Sequence, residues 1–158
     1  FSLAMFLFVK VKRSLERKKL IEEINSFGTS HTPYTQFTQS VRKWMREYEF
    51  LAHPEKVLNS QEREMFLKDL VQSYRVFLGR TFQVPALQWP DRVFVSEIKK
   101  RFADIYEICG QDLKKILREQ THAQSHQQEM RAHDLIQLLD LTRKNVDAIY
   151  LAEKEQGK

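Results

Sequence analysis

The sequence predicts an all-α protein, a helical bundle of five or six helices whose first helix continues from a truncated transmembrane helix. Three observations lead there. Apolar residues return at steps of three and four in five separate stretches, the period of one buried helix face rather than the alternation of a strand. Only four glycines and four prolines interrupt 158 residues, and most of them fall between those stretches. A hydrophobic content of 42% beside 30% charged residues suits one domain with a single core, and argues against a disordered chain.

The first element divides in two. Residues 1–9, FSLAMFLFV, are almost uninterruptedly apolar and then give way to KVKRSLERKK. Nine residues are too few to cross a bilayer, which takes about 20, and the chain opens on Phe1 rather than Met. The expectation is therefore a remnant of a membrane helix whose beginning lies upstream. A signal peptide would carry its charge ahead of the apolar run, not behind it; an amphipathic helix that packs its apolar start on the core is the alternative. Lys10, Lys12, Arg13, Arg17, Lys18 and Lys19 face a single acid, Glu16, across this block. That surplus of five equals the whole chain's +5, from 26 basic and 21 acidic residues, so the remainder carries twenty of each sign. Such concentration is what the positive-inside rule expects of a cytoplasmic membrane flank, and a nucleic-acid module would spread its charge over a groove-facing surface. The basic juxtamembrane helix is predicted over residues 10–27, with Leu15, Leu20, Ile21 and Ile24 as its apolar face and Gly28 as its left-handed terminator.

Residues 34–154 are predicted as the cytoplasmic helical domain. In its first helix, Tyr34 to Ala52, the apolar face is Phe37, Val41, Trp44, Met45, Tyr48 and Leu51, and His53-Pro54 ends it. The next helix takes Asn59 or Ser60 as N-cap, with Glu62 in a capping-box relation to Asn59. It buries Phe66, Leu67, Leu70, Val71, Tyr74, Phe77 and Leu78, and is expected to stop at Gly79. A loop follows, apolar at Phe82, Val84, Leu87 and Trp89 but broken by Pro85 and Pro90, which remove backbone donors and favour extended neighbours. It reads as a plug across helices. Asp91 is the expected cap of a helix through Val93, Phe94, Ile98 and Phe102 that persists past Ile105, Ile108, Leu113, Ile116 and Leu117, with a bend at Gly110. Glu119 to Glu129 is polar, either exposed helix or linker, and a last helix runs from Ala132 to about Glu153.

Few residues point to chemistry. His122, His126, Glu129 and His133 would line one face of a continuous helix at steps of four, three and four, and all are competent zinc ligands. Strung along almost three turns they cannot converge on one ion; an adjacent pair such as His126 and Glu129 could share one if a partner helix completed the site. The reading is thus no metal and no cofactor, with a solvated polar face in that place. The lone cysteine, Cys109, sits among Ile105, Tyr106 and Ile108 and reads as a small buried apolar residue. Carboxylate pairs such as Glu22-Glu23 have basic neighbours and no apolar pocket to raise a pKa. No glycine-rich phosphate loop, GxSxG, HExxH or CxxC is present, so an enzyme is not expected.

One resemblance adds to this. Tyr74, Phe77, Leu78, Arg80, Phe82, Val84, Pro85 and Ala86, followed by Val95, Ile98 and Phe102, form a helix, a Gly-Arg-Thr-Phe-x-Val-Pro-Ala loop and a short amphipathic helix. This pattern resembles the cytoplasmic helical tail of BatD-type membrane proteins, which accompany MoxR-family ATPases and von Willebrand A-domain proteins. The resemblance implies an anchored scaffold at the bacterial inner membrane, on its cytoplasmic face, with a MoxR-type ATPase or a von Willebrand A-domain protein as partner. The expected function is therefore a non-enzymatic docking domain. Arg80, Phe82, Leu87 and Trp89 are its candidate partner-binding residues, and the basic flank is the candidate contact for anionic lipid headgroups. The alternative is a helical nucleic-acid-binding regulator using the flank and Lys99 to Arg101. Nucleic acid is the less favoured partner, because no aromatic residues interleave with that run.

Overall fold

The computed structural model describes Lys12 and residues 31–156. Among them all regular structure is helical: α1 (Pro33–Glu47), α2 (Glu49–Ala52), α3 (Ser60–Phe82), α4 (Asp91–Arg101), α5 (Ala103–Ser125), a 3-10 turn (Gln127–Glu129) and α6 (Ala132–Gln156). None of these helices is long and apolar enough to cross a membrane. The membrane-helix remnant at 1–9 and the juxtamembrane helix at 10–27 lie outside the described residues, save that Lys12 is helical and exposed.

Two of the helices start where a side chain satisfies their first turn. The Thr32 hydroxyl accepts from the Thr35 N–H at the start of α1, and Asn59 accepts from the Gln61 N–H at the start of α3, each pairing an otherwise orphaned donor. Pro33 begins α1, where its missing N–H costs nothing. Gly79 does not end α3. The helix runs on to Phe82, and Gln83 takes the left-handed conformation (φ 55°) while the Val84 N–H returns to the Gly79 carbonyl at 3.0 Å. Tertiary packing decides this: one more turn carries Phe82 into the core beside Phe94 and Phe102, which outweighs the small strain of one non-glycine left-handed residue.

Two predicted helices are broken by the core they serve. The stretch from Tyr34 to Ala52 is interrupted at Tyr48, whose extended backbone separates α1 from α2. Two residues apart on a continuous helix, Tyr48 and Phe50 would point in opposite directions. The break turns both rings onto Phe66, at centroid distances of 5.4 and 5.1 Å, and Tyr48 donates its hydroxyl to Asp69 at 2.7 Å. The stretch after Asp91 breaks at Phe102, not at Gly110, which lies in mid-α5. Asp91 is the first residue of α4 rather than its cap; Pro90 holds the cap position without a side-chain bond.

The core joins α1, α3, α5 and α6 around Phe66, Leu67, Leu70, Tyr74 and Leu78, none of which has measurable exposure. Of the predicted core residues, Met45, Val93 and Ile108 are instead exposed, Ile108 by 63%. Cys109 is buried as expected, and burial pushes its thiol pKa up. α5 and α6 form an antiparallel hairpin, with Gln120 bonded to Thr142 near its closed end and the Cys109 carbonyl bonded to Asn145 further along.

Candidate functional site

The loop from Gln83 to Pro90 is a plug held by a cationic clamp. Val84, Pro85 and Ala86 are buried, and the Trp89 N–H closes a turn onto the Pro85 carbonyl at 3.2 Å. Arg75, one side of α3, donates from Nη1 to the Ala86 carbonyl at 3.2 Å and from Nη2 to the Asp91 carboxylate. The Thr121 hydroxyl of α5, which donates to the Leu117 carbonyl at 2.9 Å, lies 3.3 Å from the other Asp91 oxygen. One guanidinium thus fixes the loop and the start of α4 together. Sequence reasoning missed this clamp, since Arg75 and Asp91 are separated by the whole loop and neither spacing nor composition marks them as a pair.

Of the four residues expected to bind a partner, two are committed to the fold. Phe82 is 2% exposed and belongs to the core, because it falls in the last turn of α3. Arg80 donates to the Gln36 side chain at 2.6 Å and to the His31 carbonyl at 2.7 Å. It therefore fastens the entrance of α1 to α3, and burial lowers its pKa. Trp89 is half-buried against the core. Leu87 alone remains at the surface, 39% exposed.

Around the entrance of α1 the surface is grooved. A cleft of about 250 Å³ between α1 and α3 is lined by Gln36, Ser40, Lys43, Asp69, Gln72 and Ser73. Beside it Tyr34 stacks on Tyr150 at 4.1 Å and donates to Asp147 at 2.8 Å. On the outer side a shallow depression is lined by His31, Gln39, Arg42, Lys43 and Arg46. Lys43 has Glu47 at 3.9 Å, while Arg42 and Arg46 have no ion pair among the described residues. The buried side of the same helix is Phe37, Val41 and Trp44, so its outward face is basic and its inward face aromatic.

The histidine row is not on one helix. α5 ends at Ser125, His126 leaves the helical conformation, Glu129 belongs to the 3-10 turn and His133 lies in the first turn of α6. The turn nevertheless brings His122, His126 and Glu129 to one cleft with Glu119 and with Asp134 of α6. His133 does not line it. Among the described residues, no three His, Cys, Asp or Glu side chains form a group that could hold a metal ion.

The basic run Lys99, Lys100 and Arg101 occupies the last turn of α4, where positive charge complements the negative end of the helix dipole. Lys99 lies 5.9 Å from the Tyr106 ring centre and Arg101 5.7 Å from that of Phe102. The tyrosines whose pKa values rise above 10.0 are raised by burial and by bonds to acidic side chains: Tyr48 and Tyr74 chiefly by burial, Tyr34 chiefly by its bond to Asp147. These shifts come from tertiary ties.

Comparison with known protein families, with curated proteins and with solved structures gave no match.

Proposed function

We propose that this chain is a non-enzymatic, membrane-anchored docking domain that positions a protein partner at the cytoplasmic face of a bacterial inner membrane. The observation that carries the reading is the sign of the outward face of α1. Outside the Lys10–Lys19 collar the chain's charge balances, yet Arg42, Lys43 and Arg46 line one depression, with His31 at its edge, and no acid lines it. His31 and Arg42 follow Lys19 by 12 and 23 residues in sequence, and this face carries the same sign as the collar. The depression is suited to anionic headgroups, each nearby basic residue contributing about 1 kcal/mol. A partner is then met by other surfaces, with the exposed Leu87 as the candidate contact. The BatD-type resemblance favours a MoxR-type ATPase or a von Willebrand A-domain protein in that role.

The test is membrane partition of the intact gene product. Retention in the pellet through high salt, with capture of an ATPase or A-domain protein that Leu87→Asp weakens, supports the reading. Release by salt, accompanied by steeply salt-dependent nucleic-acid binding, overturns it in favour of the helical regulator.

A further inference from the structure

We propose that the outward face of α1 is a binding site for a lipid headgroup carrying two phosphates. Arg42 and Arg46 take one phosphate each, and Lys43 and the Gln36 side-chain amide complete the site. The inference rests on the reading of the depression as a surface for anionic headgroups, and it names the headgroup class.

Three features point to phosphate. First, the positive charge here goes unanswered. No Asp or Glu occurs between Glu23 and Glu47, and the depression, about 550 Å³, is lined by Arg42, Lys43 and Arg46 and by no acid. Arg42 and Arg46 have no ion pair among the described residues, and Lys43 has only Glu47 at 3.9 Å, both side chains being more than half exposed. A contact of that kind is worth little and yields to a better anion. Second, acceptor atoms of the rim are spent inward. Arg80 donates to Gln36 Oε1 at 2.6 Å and to the His31 carbonyl at 2.7 Å, while the Gln36 carbonyl accepts the Ser40 hydroxyl at 3.1 Å. With its side-chain oxygen tied to Arg80, Gln36 keeps its amide N–H groups for the depression it lines. Arg80 is thereby a positioning residue. A rim of guanidinium, ammonium and amide donors complements an anion with several acceptor oxygens and no proton to give, as a phosphodiester has.

Third, the spacing suits two phosphates. Arg42 and Arg46 lie four residues apart on one helix face, about 6 Å along its axis. A guanidinium grips phosphate through two parallel N–H bonds, so each arginine has room for its own. Two single-phosphate headgroups would have to be ordered side by side to fill both. Two phosphates joined through one glycerol, as in diphosphatidylglycerol, make the second contact intramolecular. The footing is firm, because Phe37, Val41 and Trp44 are buried on the opposite side of the helix, with Phe37 against Phe77 and Trp44 against Phe66. The other basic run differs: Lys99 and Arg101 lie over the Tyr106 and Phe102 rings, which makes it a control of equal sign.

The experiment is a nuclear magnetic resonance titration of the isotope-labelled full chain with the water-soluble, deacylated headgroup of diphosphatidylglycerol, and with that of phosphatidylglycerol at equal phosphate. One headgroup per chain is expected, with shift changes centred on Gln36 to Arg46. The two-phosphate headgroup should bind about fivefold tighter, the worth of one further basic residue engaged near a headgroup. R42Q/R46Q should weaken it about thirtyfold, by two such residues, and Gln36→Glu should weaken it by setting a carboxylate at the rim. K99Q/K100Q removes the same charge and should leave binding unchanged. Circular dichroism verifies that these substitutions leave the fold intact. Inorganic pyrophosphate should bind less tightly than the two-phosphate headgroup; tighter binding would assign the site to a free phosphate compound and overturn the lipid assignment. No saturable binding, equal affinity for the two headgroups, or an equal loss in K99Q/K100Q, as unspecific attraction gives, overturns the proposal. Membrane retention of the intact gene product through high salt tests the anchor separately. Retention without headgroup binding refutes this inference alone, and headgroup binding by a chain that salt releases refutes the anchor alone.

Discussion

Tyr74, on α3, is fully buried, and its hydroxyl donates to Asn145 Oδ1 on α6 at 2.5 Å. The same amide donates from Nδ2 to the Cys109 carbonyl of α5 at 3.4 Å. One asparagine, 3% exposed, therefore links three helices through the centre of the core. Asn145→Ala should leave the tyrosine hydroxyl without a partner in a place water does not reach. A buried unsatisfied group costs about 1–3 kcal/mol, and the void left by the amide adds to it, so a loss of about 2–4 kcal/mol is expected. Tyr74→Phe removes the donor but keeps the ring, stranding only an acceptor, and should cost about 1–2 kcal/mol. In the double variant neither group is stranded by the other, so its loss should fall short of the sum by about 1 kcal/mol or more. Against a total stability of about 5–15 kcal/mol for a single domain, these differences are measurable by urea denaturation followed by far-ultraviolet circular dichroism. Tyr74→Phe within about 0.5 kcal/mol of the parent, or strictly additive single effects, would refute the claim that this bond ties the helices.

Two further outcomes are expected. The raised pKa values of Tyr34, Tyr48 and Tyr74 mean that the folded chain keeps protons the unfolded chain loses; the stability they provide is complete below pH 10 and should fall as pH rises above about 10, which denaturant midpoints across the alkaline range would follow, with Tyr48→Phe flattening the fall. Gly110→Ala should destabilise α5 even though alanine is the better helix former by about 1 kcal/mol, because a methyl there would overlap the Tyr106 ring; in a Tyr106→Ala background the same change should become stabilising, and thermal melts of the four chains would show whether the sign reverses.

Helix identity was legible because it depends on neighbours three and four residues away. Phe66, Leu67, Leu70, Tyr74, Phe77 and Leu78 announce the buried face of α3 by their spacing alone, and all are buried. Asn59 marks its start because a cap acts within three residues. The candidate site was less legible. His122, His126 and Glu129 could be picked out by type, but their meeting depends on a helix break at His126 and on Asp134 arriving from α6. Arg80 and Phe82 looked like surface determinants only under the assumption that α3 ends at Gly79.

By itself the sequence determined the all-helical class, the period of each apolar face, the cap of α3 and the concentration of positive charge between Lys10 and Lys19. All of these are properties of short range or of composition. Tertiary structure alone decided where helices break, as at Tyr48 and Phe102, and which polar residues are spent inside the fold, as with Arg75 on Asp91 and Asn145 on Tyr74. The physical reason is one of range. A helix's period is set within a turn, whereas a break is worth its lost hydrogen bonds only if distant side chains, such as Phe66 for Tyr48 and Phe50, are there to be met.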